Sequence, residues 1–186
     1  MKRSQFLAAM GQIGVAAMAA GPTRAVRGQR AKTEYTHELN APPEAVFPLL
    51  CPVREYEWLD GWTCEMIFSE SGVAEENCIF RTARAPHGQS TWYVTRYEPP
   101  ARIEFVVIAA DMATRLSITL ERTAEGTKLR WIRLFTGLND EGNGNVGWWT
   151  VEKDREIGHR LEHFVSTGTM LRTPHPSTYR PAVHER

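Results

Sequence analysis

The stretch TEYTHELNAPPEAVFPLLCPVREYEW, residues 33–58, decides the fold. Its first seven residues, TEYTHEL, alternate in the manner of a β-strand. Asn40 is a candidate helix N-cap, and the two prolines that follow Ala41 suit a first helical turn. The sequence therefore predicts one strand, then a short helix over residues 44–50, then a second short helix over residues 54–58.

Downstream of this stretch, the sequence predicts a run of further strands. Aromatic and β-branched residues recur in segments that end at Gly, Pro or Asn. A spacing of about ten residues between turns is typical of an antiparallel meander. The predicted strands cover residues 64–70, 77–83, 91–97, 102–109, 114–122 and 127–136.

The hydrophobic period changes after residue 147. Residues 137–147 are rich in turn formers and predict a loop, whereas apolar residues in the next segment recur at helical spacing. We therefore predict one amphipathic helix over residues 148–171, which Pro174 and Pro176 prevent from continuing. The whole order predicts an α+β domain: a curved antiparallel sheet of about seven strands, two short helices after the first strand and a long C-terminal helix.

Both ends of the chain are predicted to lie outside this domain. Residues 1–25 carry a positive start, a short apolar run and a small-residue cleavage site, which is typical of a signal peptide. The apolar run is too short for a bilayer-spanning helix, so we expect export to the periplasm or beyond and no stable membrane insertion. Residues 26–32 are assigned to a linker, residues 33–171 to the domain and residues 172–186 to a loosely ordered tail.

Charge and cysteine content exclude two classes of function. The formal net charge is zero, whereas a nucleic-acid-binding protein carries a basic excess or a basic stripe. The cysteines Cys51, Cys64 and Cys78 match no zinc-binding spacing. Two alternatives remain for them: a bridge between Cys64 and Cys78, or three thiols buried as small hydrophobic groups.

Catalytic motifs are scarce in this sequence. It contains no HExxH, CxxC or GxSxG motif and no P-loop. His159 and His163 lie four residues apart on the predicted helix, a spacing that suits acid–base work or a divalent metal. No third ligand is nominated by the sequence, and surface or ion-paired histidines are the alternative. We therefore assign no metal and no cofactor.

Three carboxylates flank two tryptophans near the two short helices. Glu55, Asp60 and Glu65 lie close in sequence to Trp58 and Trp62. A carboxylate desolvated beside an indole ring has a raised pKa and can act as a general acid or base. Glu55 is accordingly a catalytic candidate, with solvated surface acids as the alternative.

Arginines on two predicted strands form another candidate site. Arg115, Ser117 and Thr119 share one face of a strand, and Arg133 lies on the next strand. If that face is concave, Arg115 or Arg133 could hold a carboxylate or an enolate by bidentate contact. The alternative places this row on the solvent face, so that the residues between them point inward, namely Leu116, Ile118 and Leu120.

Tryptophan is unusually frequent in this chain, and ordinary core packing is the default role for most of these rings. The chain has six tryptophans, and surplus indole rings often line ligand pockets. Two of them, Trp148 and Trp149, open the predicted long helix and could form an aromatic gate; the alternative is simple packing of one ring with the other partly exposed. The residues predicted to bind a ligand are Trp58, Trp62, Trp92, Phe105, Trp131, Trp148 and Trp149.

Several segments resemble one superfamily. These are APPEAVFPLLCPVREYEWLDGW (41–62), SGVAEENCIFRT (71–82), the stretch from Trp92 to Phe105, LFTGLNDEGN (134–143) and HFVSTG (163–168). Together with the order of elements, they resemble the SRPBCC, or START-like, superfamily. That resemblance implies the helix-grip fold, in which the sheet and the long helix enclose a cavity. The superfamily includes lipid carriers, polyketide cyclases and chaperone activators, so the fold does not determine the activity.

We therefore expect binding or carriage of a hydrophobic or aromatic small molecule. One alternative is a cyclase- or dehydratase-like enzyme that uses His159, His163 or Glu55 in the same cavity. A second alternative is a protein-interaction module of the chaperone-activator kind. The sequence does not distinguish the oligomeric states.

Overall fold

The computed structural model describes residues 28–84 and 88–172 of the chain. Within these ranges, seven strands pair in the order β1-β7-β6-β5-β4-β3-β2. Each neighbouring pair is antiparallel. The strands are β1 (Arg30–Leu39), β2 (Glu65–Phe68), β3 (Ile79–Arg84), β4 (Gly88–Glu98), β5 (Arg102–Ile108), β6 (Met112–Arg122) and β7 (Thr127–Gly137).

Helical segments lie after the first strand and after the last. Helix α1 (Pro43–Val46) is followed by 3-10 turns at Phe47–Leu50 and Glu55–Glu57. Helices α2 (Asp140–Asn145) and α3 (Val151–Thr167) follow β7. Among the described residues, no helix has the length and apolarity to cross a bilayer. The order of elements confirms the predicted α+β, helix-grip class.

The N-terminal boundaries differ from the prediction in two places. Strand β1 begins at Arg30, so residues 30–32 pair with β7 and do not belong to a linker. Asn40 does not cap α1; the N-cap is Pro42, whose extended backbone leads straight into the helix without a side-chain hydrogen bond. The predicted signal peptide at residues 1–25 lies outside the described residues.

The C-terminal helix is shorter than predicted. Residues 148–150 precede α3, and the loop predicted before it contains the short helix α2. Helix α3 ends at Gly168, which adopts a left-handed φ of 69° and donates its backbone N–H to the carbonyl of Phe164. Beyond Arg172, the predicted tail lies outside the described residues.

Inward-facing side chains of the sheet build the core. On β6, Leu116, Ile118 and Leu120 are buried, as expected if the alternating polar row faces outward. The cysteines are free: Cys51 and Cys78 are buried and Cys64 is partly exposed, so the bridge between Cys64 and Cys78 is not formed. Two of the three thiols therefore behave as small core residues.

Glycine allows α2 to approach the sheet. A Cβ atom built on Gly142 would lie 1.8 Å from the backbone oxygen of Asp111, a contact that no side chain tolerates. That same carbonyl accepts a hydrogen bond from the amide of Leu138, which ties the end of β7 to the turn before β6. Gly144, in the same short helix, has no heavy atom within 4 Å of such a Cβ.

These two glycines give a matched stability test. We expect Gly142→Ala to lower the free energy of unfolding by about 1–3 kcal/mol or more, because the backbone of Asp111 must move. Gly144→Ala should instead leave stability unchanged or raise it by up to about 1 kcal/mol, because alanine favours the helix. Urea denaturation measures both. Equal effects of the same sign would contradict the close packing of α2.

Candidate functional site

A cavity of about 140 Å³ lies inside the grip of the sheet. Its wall comprises the inner face of β3 to β7, the helical connection between β1 and β2, and the start of α3. The volume accommodates on the order of ten water molecules. That is below the volume of about 300–1,000 Å³ that is typical of ligand pockets.

The cavity lies where two hydrophobic clusters meet. The larger cluster includes Phe105 and Trp131, and the smaller one consists of Met112, Phe135 and Trp149. Members of both clusters line the cavity. The cavity therefore lies between two packed groups of side chains, and partly exposed residues such as Glu55 and Trp148 connect its wall to the surface.

All the aromatic residues predicted to bind a ligand line this cavity: Trp58, Trp62, Trp92, Phe105, Trp131, Trp148 and Trp149. Their position agrees with the prediction, whereas their role in binding stays a prediction. On one wall, the rings of Phe80 and Trp92 stack with centroids 5.3 Å apart, and Phe105 meets Trp92 edge to face at 5.6 Å. Such interlocked rings form a rigid aromatic surface.

The indole N–H groups of two tryptophans are bound by the protein itself. Trp58 Nε1 donates to the carbonyl of Leu49, and Trp62 Nε1 donates to the carbonyl of Pro52, both at 2.8 Å. Each ring is thereby fixed in place with its polar edge satisfied. Both rings are then available as apolar surface to whatever occupies the cavity.

Trp148 and Trp149, just before α3, also line the cavity. Their rings meet edge to face at 5.2 Å, with Trp149 buried and Trp148 partly exposed. The ammonium group of Lys153 lies 4.5 Å from the centre of the Trp148 ring. Both rings line the cavity, and the burial of one beside the partial exposure of the other also fits simple packing, so the aromatic gate stays a prediction.

One ion pair introduces charge into the cavity wall. Arg133 lines the cavity, and its guanidinium lies 2.9 Å from Oδ1 of Asp154 on α3. It also lies over the ring of Trp149, 4.8 Å from the centroid. Asp154 is fully buried and accepts further hydrogen bonds from Thr33 at 3.0 Å and Trp149 at 2.9 Å. The wall thus contains a strong donor whose positive charge is already balanced.

The two candidate arginines face opposite ways. Arg115 and Ser117 lie on the outer face of β6, where they hydrogen-bond to Glu104 at 3.0 Å. Burial alone would raise the pKa of Glu104, but the hydrogen bonds from Arg115, Arg102 and Ser117 and the charge of Arg102 together outweigh it and lower the pKa. Arg133 pairs in register with Leu116, whose side chain points inward. Arg115 is therefore removed from the candidate site and Arg133 is retained.

The sequence contained the signal that separates them. On β7, Arg133 has the same parity as the buried Leu129, Trp131 and Phe135. Alternate residues of a strand share one face. The alternation along β7 therefore places the side chain of Arg133 on the inward face. The polar row on β6 does not predict the direction of Arg133, because it lies on a different strand.

Of the three candidate carboxylates, Glu55 lines the cavity. Asp60 lines a smaller neighbouring pocket, and Glu65 is exposed on β2. Glu55 lies in the 3-10 turn that precedes Trp58, so its position follows from the short helical connection. Glu55 and Arg133 are the ionisable groups that the described residues contribute to the cavity wall.

The histidines predicted to work as a pair lie outside the cavity wall and contact different residues. His159 Nδ1 is 3.2 Å from Glu162 Oε2, whereas His163 Nε2 is 3.3 Å from Thr169 Oγ1. The residue of α3 that lines the cavity is Ile157. Successive residues of an α-helix are rotated by about 100° about its axis, so His159, two residues after Ile157, lies on the opposite side of α3. Glu55 therefore remains as the candidate acid–base residue.

Residues 142–147 read GNGNVG, which matches the glycine pattern of dinucleotide-binding loops. In those proteins, the pattern joins a strand to a helix within a parallel βαβ unit. Here it follows β7 of an antiparallel sheet, and Gly142 packs directly on the backbone of Asp111. Close helix packing accounts for this glycine, so the pattern does not indicate a nucleotide site.

Solved structures share this architecture at low sequence identity. A protein of unknown function from Staphylococcus aureus is 10% identical over 77% of this chain and 98% of that chain, with a TM-score of 0.60. A protein from Mesorhizobium loti is 19% identical over 73% and 97%, with a TM-score of 0.59. Truncated norcoclaurine synthase from Thalictrum flavum is 11% identical over 75% and 96%, with a TM-score of 0.58.

At these identities the likeness concerns the fold alone. No curated protein matches the chain. The family model described as polyketide cyclase / dehydrase and lipid transport matches residues 30–166, which span all seven strands and nearly all of α3. The chain therefore belongs to the polyketide cyclase/dehydrase and lipid-transport family, as its resemblance to the START-like superfamily predicted.

Proposed function

We propose that this protein binds a small, uncharged aromatic or hydrophobic molecule that carries a carbonyl or hydroxyl oxygen. The observation behind this proposal is a cavity with a largely aromatic wall and one charge-balanced donor, Arg133. Membership of a cyclase and lipid-transport family supports it at a coarser level. If residues 1–25 direct export, the protein acts as an exported carrier or sensor.

The size of the cavity favours one or two fused rings over a two-chain lipid. Space for on the order of ten waters suits a compact ligand. Burial of roughly 200 Å² of apolar ligand surface would contribute about 5 kcal/mol at 25 cal/mol per Å². Ordering costs reduce that gain, so we expect the affinity to depend on shape as well as on area.

The electrostatics of the wall favour a neutral ligand. Asp154 already neutralises Arg133 from behind the cavity wall, and Glu55 places a carboxylate in the lining itself. A ligand carboxylate would lose its hydration without gaining an unbalanced cation, at a cost of several kcal/mol. A carbonyl or hydroxyl oxygen can accept a hydrogen bond from the guanidinium without that penalty.

A cavity-filling substitution tests where the ligand binds. Thr114 lines the cavity on β6, and we expect Thr114→Phe to weaken binding of one- and two-ring aromatic ketones and phenols at least tenfold by occupying their space. Tryptophan fluorescence titration measures the affinity, since the cavity wall is rich in indole rings. The matched control is Thr119→Phe, the same change on the outer face of the same strand.

If Thr114→Phe and Thr119→Phe bind the ligand equally well, the ligand binds outside this cavity. A panel of aromatic, polyketide-like and fatty-acid compounds without any saturable signal for the wild-type protein would refute the binding proposal itself. Thermal unfolding of each variant shows whether the fold is retained, so lost binding is not confused with lost structure.

Ligand charge provides a second test. We expect a neutral aromatic ketone to bind at least tenfold more tightly than the carboxylate of matching shape, because the cavity has no unbalanced positive charge. The double variant Arg133→Met/Asp154→Asn removes both charges together and avoids leaving Asp154 buried without its cation. In it, the ketone should lose affinity, since its hydrogen-bond donor is gone. Tighter binding of the carboxylate to the wild-type protein would contradict the proposed ligand class.

A second candidate function is proton transfer on an enolisable ketone. It is favoured by the presence of both Glu55 and Arg133 in one cavity wall. The guanidinium can stabilise the developing enolate oxygen while the Glu55 carboxylate accepts the α-proton.

Exchange of the α-proton for deuterium, followed by NMR in D2O, tests this chemistry. We expect Glu55→Gln to reduce the enzyme-dependent exchange rate at least 100-fold, in the range for loss of a general base. Glu65→Gln, at an exposed carboxylate of β2, is the control and should leave the rate unchanged. Exchange no faster than in buffer would leave binding as the function.

A further inference from the structure

A second group of polar side chains lies at the seam between β1 and α3. It consists of His37 on the strand and His159 and Glu162 on the helix. One potential ligand atom from each lies within 4.8 Å of the others. His37 Nε2 is 3.0 Å from Glu162 Oε2, and His159 Nδ1 is 3.2 Å from the same oxygen.

Those distances resemble the spacing of atoms bound to one metal ion. Ligands at about 2.0–2.2 Å from a tetrahedral zinc lie roughly 3.3 Å from each other. The set of two imidazole nitrogens and one carboxylate oxygen suits zinc and similar borderline cations. Small side-chain rotations could therefore bring all three atoms onto a common ion without moving the backbone.

The buried member of the group is already held in position. His37 is 8% exposed, and its Nδ1 lies 2.8 Å from the hydroxyl of Tyr35. The ring of Tyr35 stacks in turn on Trp131, with centroids 5.9 Å apart. A hydrogen-bond partner on the second ring nitrogen is characteristic of metal-binding histidines, because it orients the nitrogen that binds the ion.

Packing of α3 against β1 brings the other two ligands within reach. Gly158 makes this close approach possible, since a Cβ there would lie 3.1 Å from His37 Cγ and from Tyr35 Cε1. The side chains of His159 and Glu162 are 58% and 46% exposed, which leaves room for water ligands. Arg155 carries a positive charge close to Tyr35 and opposes a cation here, so binding should be weaker than at a closed four-ligand site.

We propose that His37, His159 and Glu162 bind one Zn²⁺ ion that ties β1 to α3. The site lies apart from the cavity wall, and its existence does not depend on the proposed ligand. Its effect is to fasten the helix that closes the cavity, with both imidazoles and the carboxylate donating electron pairs to the metal.

Calorimetric titration of the tag-free, full-length chain with Zn²⁺ tests the site. We expect one equivalent to bind, and His159→Gln and Glu162→Gln each to weaken this binding at least tenfold. His163→Gln is the matched control, because His163 lies one turn along the same helix and contacts Thr169. Tyr35→Phe should weaken binding by about tenfold or more, in the range for loss of an orienting partner.

No saturable zinc binding by the wild-type chain would overturn the site. Binding retained in both His159→Gln and Glu162→Gln, or lost equally in His163→Gln, would assign the metal to other residues and would also overturn it. Both substituted ligands are half exposed, and thermal unfolding of the metal-free variants verifies their folds. Failure of this test leaves the ligand titrations of the cavity unaffected.

Discussion

The buried contact between Arg133 and Asp154 joins the sheet to the C-terminal helix. A carboxylate with no solvent exposure is stable only when its lost hydration is replaced. Thr33 of β1, Arg133 of β7 and Trp149 before α3 supply that replacement, so Asp154 holds three parts of the chain at one point. Loss of one charged partner from such a pair typically costs about 3–5 kcal/mol. The position of α3, and hence the end wall of the cavity, depends on this contact.

Selection for stability alone would not retain this cavity. If side chains packed this space instead, about 24 cal/mol per Å³ over 140 Å³ would add up to roughly 3 kcal/mol of stability. The surrounding rings cannot collapse into it, because Trp58 and Trp62 are fixed by hydrogen bonds to backbone carbonyls and Phe80 is locked against Trp92. A ligand of matching shape would recover part of that energy. The rigid wall and the void together favour a binding role.

Different faces of helix α3 contact different parts of the protein. Ile157 contributes to the cavity wall and Asp154 anchors the helix to the sheet, whereas His159 and Glu162 project toward the seam with β1. Gly158 lies between these groups and sets how closely the helix approaches His37 and Tyr35. Tyr35 stacks on Trp131, which lines the cavity, so the seam and the cavity share one chain of packed rings.

Local periodicity by itself determined the order of elements and divided β6 into an apolar and a polar face, whereas the number of tryptophans indicated the aromatic residues that line the cavity. The first two properties follow from repeats of two or 3.6 residues within one segment, or from a resemblance carried by short segments. Other features depended on where separate segments meet. Thr33 meets Asp154, and His37 meets Glu162, across more than a hundred residues. The spacing of His159 and His163 suggested a pair, but the packing of α3 on β1 gave His159 a different partner. Only the tertiary structure decided these contacts, because strand register and helix packing are set by the whole core.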